Sequence, residues 1–294
     1  MPKVVLNHTF KLNFPKINRL VSLNDDIYVM FNRNSRRFVF FTISGSKFVT
    51  TNDFIDESVN SGYANISDIT NYKEDILLSD DKFKIRRLRR NGQFEELSPS
   101  ITDDNLSFEG IHTTKKKEII LGFTNRRDCS AGFFELTHMT FAPPKMIYTY
   151  NKSIMRRVEG NSKEFITLPK KITTNINGYV CVLDKPRYPK KPRVVVIGKW
   201  GQPKWIYSGH PDINSENDFS PNDIITTSLD LVLVAEKKTN AIHVLSKDGQ
   251  FICNCIADTN ITEPVSICLN KEGQLVIGCT DSGKTELHMT NFIE

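Results

Sequence analysis

The chain has 294 residues, 39% of them hydrophobic, enough to bury a large core, and no apolar run approaches the roughly 18 residues of a membrane helix. Its net charge of +5 is too weak by itself to name a nucleic acid as partner. The start, Met1-Pro2-Lys3-Val4-Val5, lacks the basic region and long apolar core of a secretory signal. Most of the six cysteines (129, 181, 253, 255, 268, 279) lie in apolar strand cores. They read as reduced buried thiols, which fits the cytoplasm.

Residues 4–12 read as a strand ahead of the first repeat. Four-stranded antiparallel units are then predicted at about 13–51, 66–97, 108–150, 169–207, 221–256 and 264–289, from short apolar runs separated by polar turns. The second strand of each unit is the easiest to follow: Ile27-Tyr28-Val29, Ile76-Leu77-Leu78, Ile119-Ile120-Leu121, Val180-Cys181-Val182, Val232-Leu233-Val234 and Leu275-Val276-Ile277. Asn91-Gly92-Gln93-Phe94 and Gly249-Gln250-Phe251 mark the same hairpin in two units. Three prolines, Pro186, Pro189 and Pro192, predict a stiff exposed loop in the fourth unit. Residues 151–168 are the least readable stretch.

Repeats of this length cannot bury their apolar faces alone and must pack on one another. The expected fold is an all-β, six-bladed β-propeller forming a single domain over 1–294 with very little helix. The last unit stops after its third strand, so residues 4–12 are expected to complete it and close the ring.

The order of features within each unit resembles the NHL repeat: Pro221, Ile224, Val232, Val234, Ala235, Glu236, Asn240, Ile242, Val244, Gly249 and Phe251 match best, with Pro15, Ile27, Val29, Arg37, Phe38, Phe40 and Gly45 in the first unit. The chain looks like a diverged relative of the C-terminal propeller of tripartite-motif proteins. That resemblance implies recruitment of a protein partner for a ubiquitin ligase, with the RING and B-box zinc spacings absent from this sequence.

The loops after the second strands are rich in cations. Arg33, Arg36, Arg37, Arg126, Arg127, Lys185, Arg187, Lys190, Lys191, Lys237 and Lys238 are the expected binding residues. The blade-to-blade loops opening on the same face are acidic, including Asp53, Asp56, Asp212 and Asp218. A charge mosaic suits a protein partner better than the continuous cationic track RNA needs. RNA binding is the alternative, with Phe31, Phe123 and Tyr188 as the stacking candidates.

For catalysis the pattern is bare. His8, His112, His138, His210, His243 and His288 form no close ligand pair, and no nucleophile elbow, zinc helix or phosphate loop occurs. Asp80, Asp184 and Glu236 end second strands, where their expected job is to accept N–H bonds from the following loop. Cys253 and Cys255 share one face of a strand without the basic flank of a redox pair. The expectation is a non-enzymatic module with no cofactor and no metal.

Overall fold

The structure is a computed structural model that describes residues 2–23, 27–57, 65–81, 84–97, 106–125, 131–136, 138–140, 147–149, 166–187, 189–198, 202–281 and 283–293. Apart from a single four-residue helix, α1 (Pro211–Asn214), the regular elements among these residues are strands.

The first sheet holds β2 (Arg19–Ser22), β3 (Ile27–Asn32), β4 (Arg37–Ser44) and β5 (Lys47–Ile55), in that order. The second holds β6 (Ile66–Tyr72), β7 (Asp75–Asp80), β8 (Ile85–Leu88) and β9 (Phe94–Leu97). The third has β10 (Leu106–Thr113), β11 (Ile119–Asn125) and β12 (Ala131–Leu136), while β13 (His138–Thr140) and β14 (Ile147–Thr149) form a separate two-stranded sheet among the described residues. Two further four-stranded sheets are β15 (Pro169–Thr174), β16 (Val180–Asp184), β17 (Arg193–Ile197) and β18 (Pro203–Tyr207), then β19 (Asp223–Thr226), β20 (Val232–Glu236), β21 (Ala241–Leu245) and β22 (Phe251–Asn254). The last is β23 (Pro264–Leu269), β24 (Gln274–Asp281) and β25 (Lys284–Ile293), completed by β1 (Lys3–Leu12).

The fold is an all-β propeller of antiparallel blades. Five of its sheets are four-stranded blades, which corrects the expected count of six. The third sheet differs because β13 and β14 satisfy each other's ladders instead of extending β12.

The ring closes as the sequence suggested. β1 runs antiparallel to β25, from Lys3 opposite Ile293 to Leu12 opposite Thr285. This ties the beginning of the chain to its last sheet and covers the edge of β25. Neighbouring sheets share apolar layers. In one, Phe31 and Phe38 stack at 4.6 Å with Ile69, Ile76 and Leu78 of the next sheet around them. Each such aromatic, fully withdrawn from water, contributes about 2–3 kcal/mol. The two Gly-x-Phe hairpins also play one role. Gly92 (φ +86°) and Gly249 (φ +83°) take the left-handed backbone of a tight turn, and Phe54 and Trp205 of the preceding blade lie where a Cβ would project.

The inner strands β2, β6, β10, β15, β19 and β23 pack on one another in sequence, and β23 returns to β2. They enclose a cavity of about 340 Å³ lined by residues from all six, including Ser22, Thr70, Thr113, Thr174, Thr226 and Cys268. This cavity lies toward the ends of the inner strands; the opposite mouth of the channel, at their starts, is where the second-strand loops arrive.

Candidate functional site

Each inner strand delivers a polar side chain to this mouth. β2 starts with Arg19, β19 with Asp223, and β6 carries Asp68. Four inner strands break register with their neighbours at this end: between Ile66 and Asp68, Phe108 and Gly110, Pro169 and Lys171, and Pro264 and Ser266. A bulge adds one unpaired residue and re-aims the side chains beside it. Glu109 and Lys170 are two of these extra residues, and they pair with each other.

Asp68 is wholly buried and is the hub. Its Oδ1 accepts from Arg19 Nε at 2.6 Å and Lys171 Nζ at 3.1 Å, and its Oδ2 accepts from the Ile111 amide at 3.2 Å. Burial works to raise the Asp68 carboxyl, but Lys171 and Arg19 outweigh it and hold it below the usual carboxylate range. Across the mouth, Asp223 accepts from the Ser266 hydroxyl and, at 3.0 Å, from the Ile267 amide. Glu109 takes a second bond from Thr124 Oγ1 at 3.1 Å. The three carboxylates are therefore all engaged.

Two cations are not balanced in this way. Arg33 donates Nη2 to the Ser67 carbonyl at 2.6 Å, and its buried Nε has no partner among the described residues. Lys185 follows β16, and its amide bonds the Leu168 carbonyl at 3.0 Å, beside Lys170. Among the described residues its ammonium makes no ion pair or hydrogen bond. Burial, then the charges of Arg19 and Lys170, push the Lys185 amine down to about 8, with Asp223 opposing and Arg33 adding to the fall. The repeat supplies a control. Lys237 holds the same position after β20, and there Glu263 pairs with it at 2.7 Å.

The backbone under Lys185 is firmly held. Asp184 Oδ1 accepts the Thr167 and Leu168 amides at 2.9 and 2.7 Å, and Oδ2 accepts from Arg193 at 3.2 Å. Glu236 does the same for the Ser220 amide and adds Asn214, Thr239 and His243. The expected N–H acceptance by these acids is present, but Asp184 and Glu236 take their amides from the loop entering the inner strand, and from the following loop Glu236 accepts the Thr239 hydroxyl at 2.7 Å. Asp80 accepts an amide of the following loop, that of Lys84, at 2.9 Å.

The other expected binding residues scatter. Arg37 forks onto Asp53 at 2.6 and 2.9 Å, and Lys191 meets Asp218 at 2.7 Å in open solvent. Arg36 sits in the β3–β4 turn at φ 52°. Arg187, Lys190 and Lys238 are exposed. Arg126 and Arg127 lie outside the described residues, as does Tyr188. Phe31 is locked in the core, and Phe123 packs against a core cluster. Of the nine that are described, the mouth gathers Arg33 and Lys185.

Sequence reasoning passed over Arg19, Asp68, Glu109, Lys170, Lys171 and Asp223. The one available signal was their position at the start of each inner strand. His243 and His288 are buried in third strands as expected, with Tyr207 and Glu236 holding His243 at 2.8 and 2.9 Å. His112 reaches Thr174 at 3.0 Å in the channel wall, where burial and then Lys171 hold it down to about 3. The described cysteines are all buried and free.

Among the described residues no three His, Cys, Asp or Glu side chains gather as a metal site. With Asp68 and Glu109 already committed to cations, this donor set does not fit a metal centre. No described helix is long and apolar enough to cross a membrane.

No family model matches the chain, and no curated protein matches it in sequence. Solved structures do resemble it. The PQQ-bound aldose sugar dehydrogenase from Streptomyces coelicolor is 10% identical, covers 100% of this chain and 99% of its own, and has a TM-score of 0.64. A gluconolactonase from Xanthomonas campestris is 10% identical over 98% and 94%, with a TM-score of 0.62. The WD40 propeller domain of Doa1 is 11% identical over 98% and 97%, with a TM-score of 0.58. At these identities the likeness carries the propeller fold.

The comparisons also correct the functional expectation. A non-enzymatic recruitment module of a tripartite-motif ligase, with RNA binding as its alternative, finds no support among them. Two of these three propellers are enzymes. The structure adds the physical reason: Phe31 is unavailable for stacking, and several loop cations are already neutralised by the acidic loops beside them.

Proposed function

We propose that this propeller is an enzyme whose reaction takes place at the loop-face mouth of the central channel, with Lys185 as the proton-transfer group. The reaction class is the opening of a small lactone by water. The observation that carries this is Lys185 itself, an amine on a rigid backbone that pairs with none of the described residues, pushed down to about 8 by burial and the cations around it. A general base works best with a pKa near the working pH. The Xanthomonas campestris gluconolactonase, a propeller of the same architecture, lends the lactone its place in this reading.

In the proposed reaction the neutral Lys185 amine takes a proton from water as its oxygen bonds to the acyl carbon. The positive charges of Arg19 and Lys170 favour the oxyanion that develops there. The ring C–O bond then breaks, and the Lys185 ammonium returns its proton to the departing alkoxide. Proton, water and leaving group balance without an added reactant.

The test is turnover of a lactone panel headed by D-glucono-1,5-lactone, measured from pH 6 to 9 on the full chain and on Lys185→Met. Wild-type kcat/KM should rise about tenfold per pH unit and level off above the Lys185 pKa, near 8. Lys185→Met should lose at least a hundredfold while its circular dichroism stays native. Turnover equal in the two proteins, or a flat pH profile, would overturn the assignment.

A further inference from the structure

We infer that the substrate of this site carries a carboxylate, received by Arg33 with Arg19 and Lys170 behind it. The inference rests on the channel mouth being the reaction site and adds the chemical class of what enters it. Among the described residues the three carboxylates of the mouth are engaged: Asp68 by Arg19 and Lys171, Glu109 by Lys170, and Asp223 by Ser266 and the Ile267 amide. Among those same residues Arg33 and Lys185 have no carboxylate partner.

Arg33 is the more specific of the two. Its guanidinium is tethered at one end by the Nη2 bond to the Ser67 carbonyl at 2.6 Å. Its Nε is buried without a partner, which costs stability unless a ligand fills the place. A guanidinium edge with a free N–H matches the flat, two-oxygen face of a carboxylate. Arg19 cannot take this role alone, because Nε is spent on Asp68, Nη1 on the Asn18 carbonyl and Nη2 on the Lys170 carbonyl. Its charge, with that of Lys170, sets the sign of the mouth.

The experiment is calorimetric titration of the full chain at fixed ionic strength with three probes: D-glucuronate, D-glucose and inorganic phosphate. Glucuronate and glucose share the pyranose ring and differ at C6, a carboxylate in one and a hydroxymethyl group in the other. Glucuronate should bind at least tenfold more tightly than glucose. Arg33→Gln should erase that preference and Arg33→Lys should recover only part of it. Lys47→Gln, an exposed control at the start of β5, should bind as wild type. Glucuronate affinity should fall as pH rises through 8, as the Lys185 charge disappears, while lactone turnover rises over the same range. Equal affinity for glucuronate and glucose, or unchanged glucuronate binding in a natively folded Arg33→Gln, would overturn the inference. So would phosphate binding more tightly than glucuronate. If glucuronate fails but turnover still depends on Lys185, the carboxylate falls and the reaction site stands. If glucuronate binds through Arg33 and no lactone turns over, the reverse holds.

Discussion

Replacing Asp68 with alanine tests the electrostatic logic of the channel most directly. The carboxylate is fully buried and is the shared acceptor for Arg19 at 2.6 Å, Lys171 at 3.1 Å and the Ile111 amide at 3.2 Å. Removing it strands two largely buried cations, a change that costs about 3–5 kcal/mol when one partner of a buried pair is lost. At about 2–4 °C of melting temperature per kcal/mol in a domain of this size class, the Tm should fall by roughly 6–20 °C. The triple variant Asp68→Ala, Arg19→Met, Lys171→Met removes the stranded charges and should recover most of that loss. Acid titration gives a second reading. The folded carboxyl lies below its ordinary value, so its stabilisation is present above that value and lost as pH falls through the folded pKa. Wild type should therefore lose stability at the acid end where the triple variant does not. Thermal melts followed by circular dichroism decide the matter. A Tm for Asp68→Ala within about 2 °C of wild type, or a triple variant no more stable than the single one, would refute the reasoning.

Three other outcomes follow from the same geometry. Lys185→Met should stabilise the protein at pH 7. The fall from 10.5 to about 8 corresponds to about 3 kcal/mol of unfavourable work, roughly halved by the water that reaches this half-buried amine. Because the folded pKa is the lower one, wild-type stability should climb from pH 8 to 10.5 and close the gap, and a gap constant with pH would sink the account. Deleting residues 1–12 removes β1 from the last sheet and exposes the edge of β25, so the melting transition should drop or vanish, whereas an unchanged melt would disprove the clasp. A thiol reagent at pH 8 should label none of Cys181, Cys253, Cys255, Cys268 and Cys279 before denaturation, since burial pushes every one of these thiols up; peptide mapping of native labelled protein reads this out.

The architecture was legible in the sequence because second strands are nearly continuous apolar runs and their spacing is regular. The clasp was legible because the last unit lacked a strand and the first residues supplied one. The third sheet was not, since nothing in its apolar pattern says that β13 and β14 pair with each other instead of joining β12. The mouth was hidden for a sharper reason. Period-two alternation assigns faces only while register holds, and Glu109 and Lys170 sit on bulges where register breaks. The loop cations were visible but looked equivalent. Only packing separates Lys237, matched by Glu263, from Lys185 at the same place in its repeat. Arg37 and Lys191 likewise lost their apparent freedom to Asp53 and Asp218.

The pairing of Lys3 with Ile293 places those two backbones one strand-width apart at the outer rim of the last blade. A few glycines would bridge them, and the chain can then be reopened at another turn. Gly45, at φ +56° with nothing within 4 Å of an added Cβ, is a suitable place to cut. The permuted protein would carry new ends in the first blade and keep every ladder of the ring except the one closed by that turn. For the same reason, a surface tether attached beside Lys3 would hold the ring by its outer rim, leaving its central opening clear for whatever diffuses in.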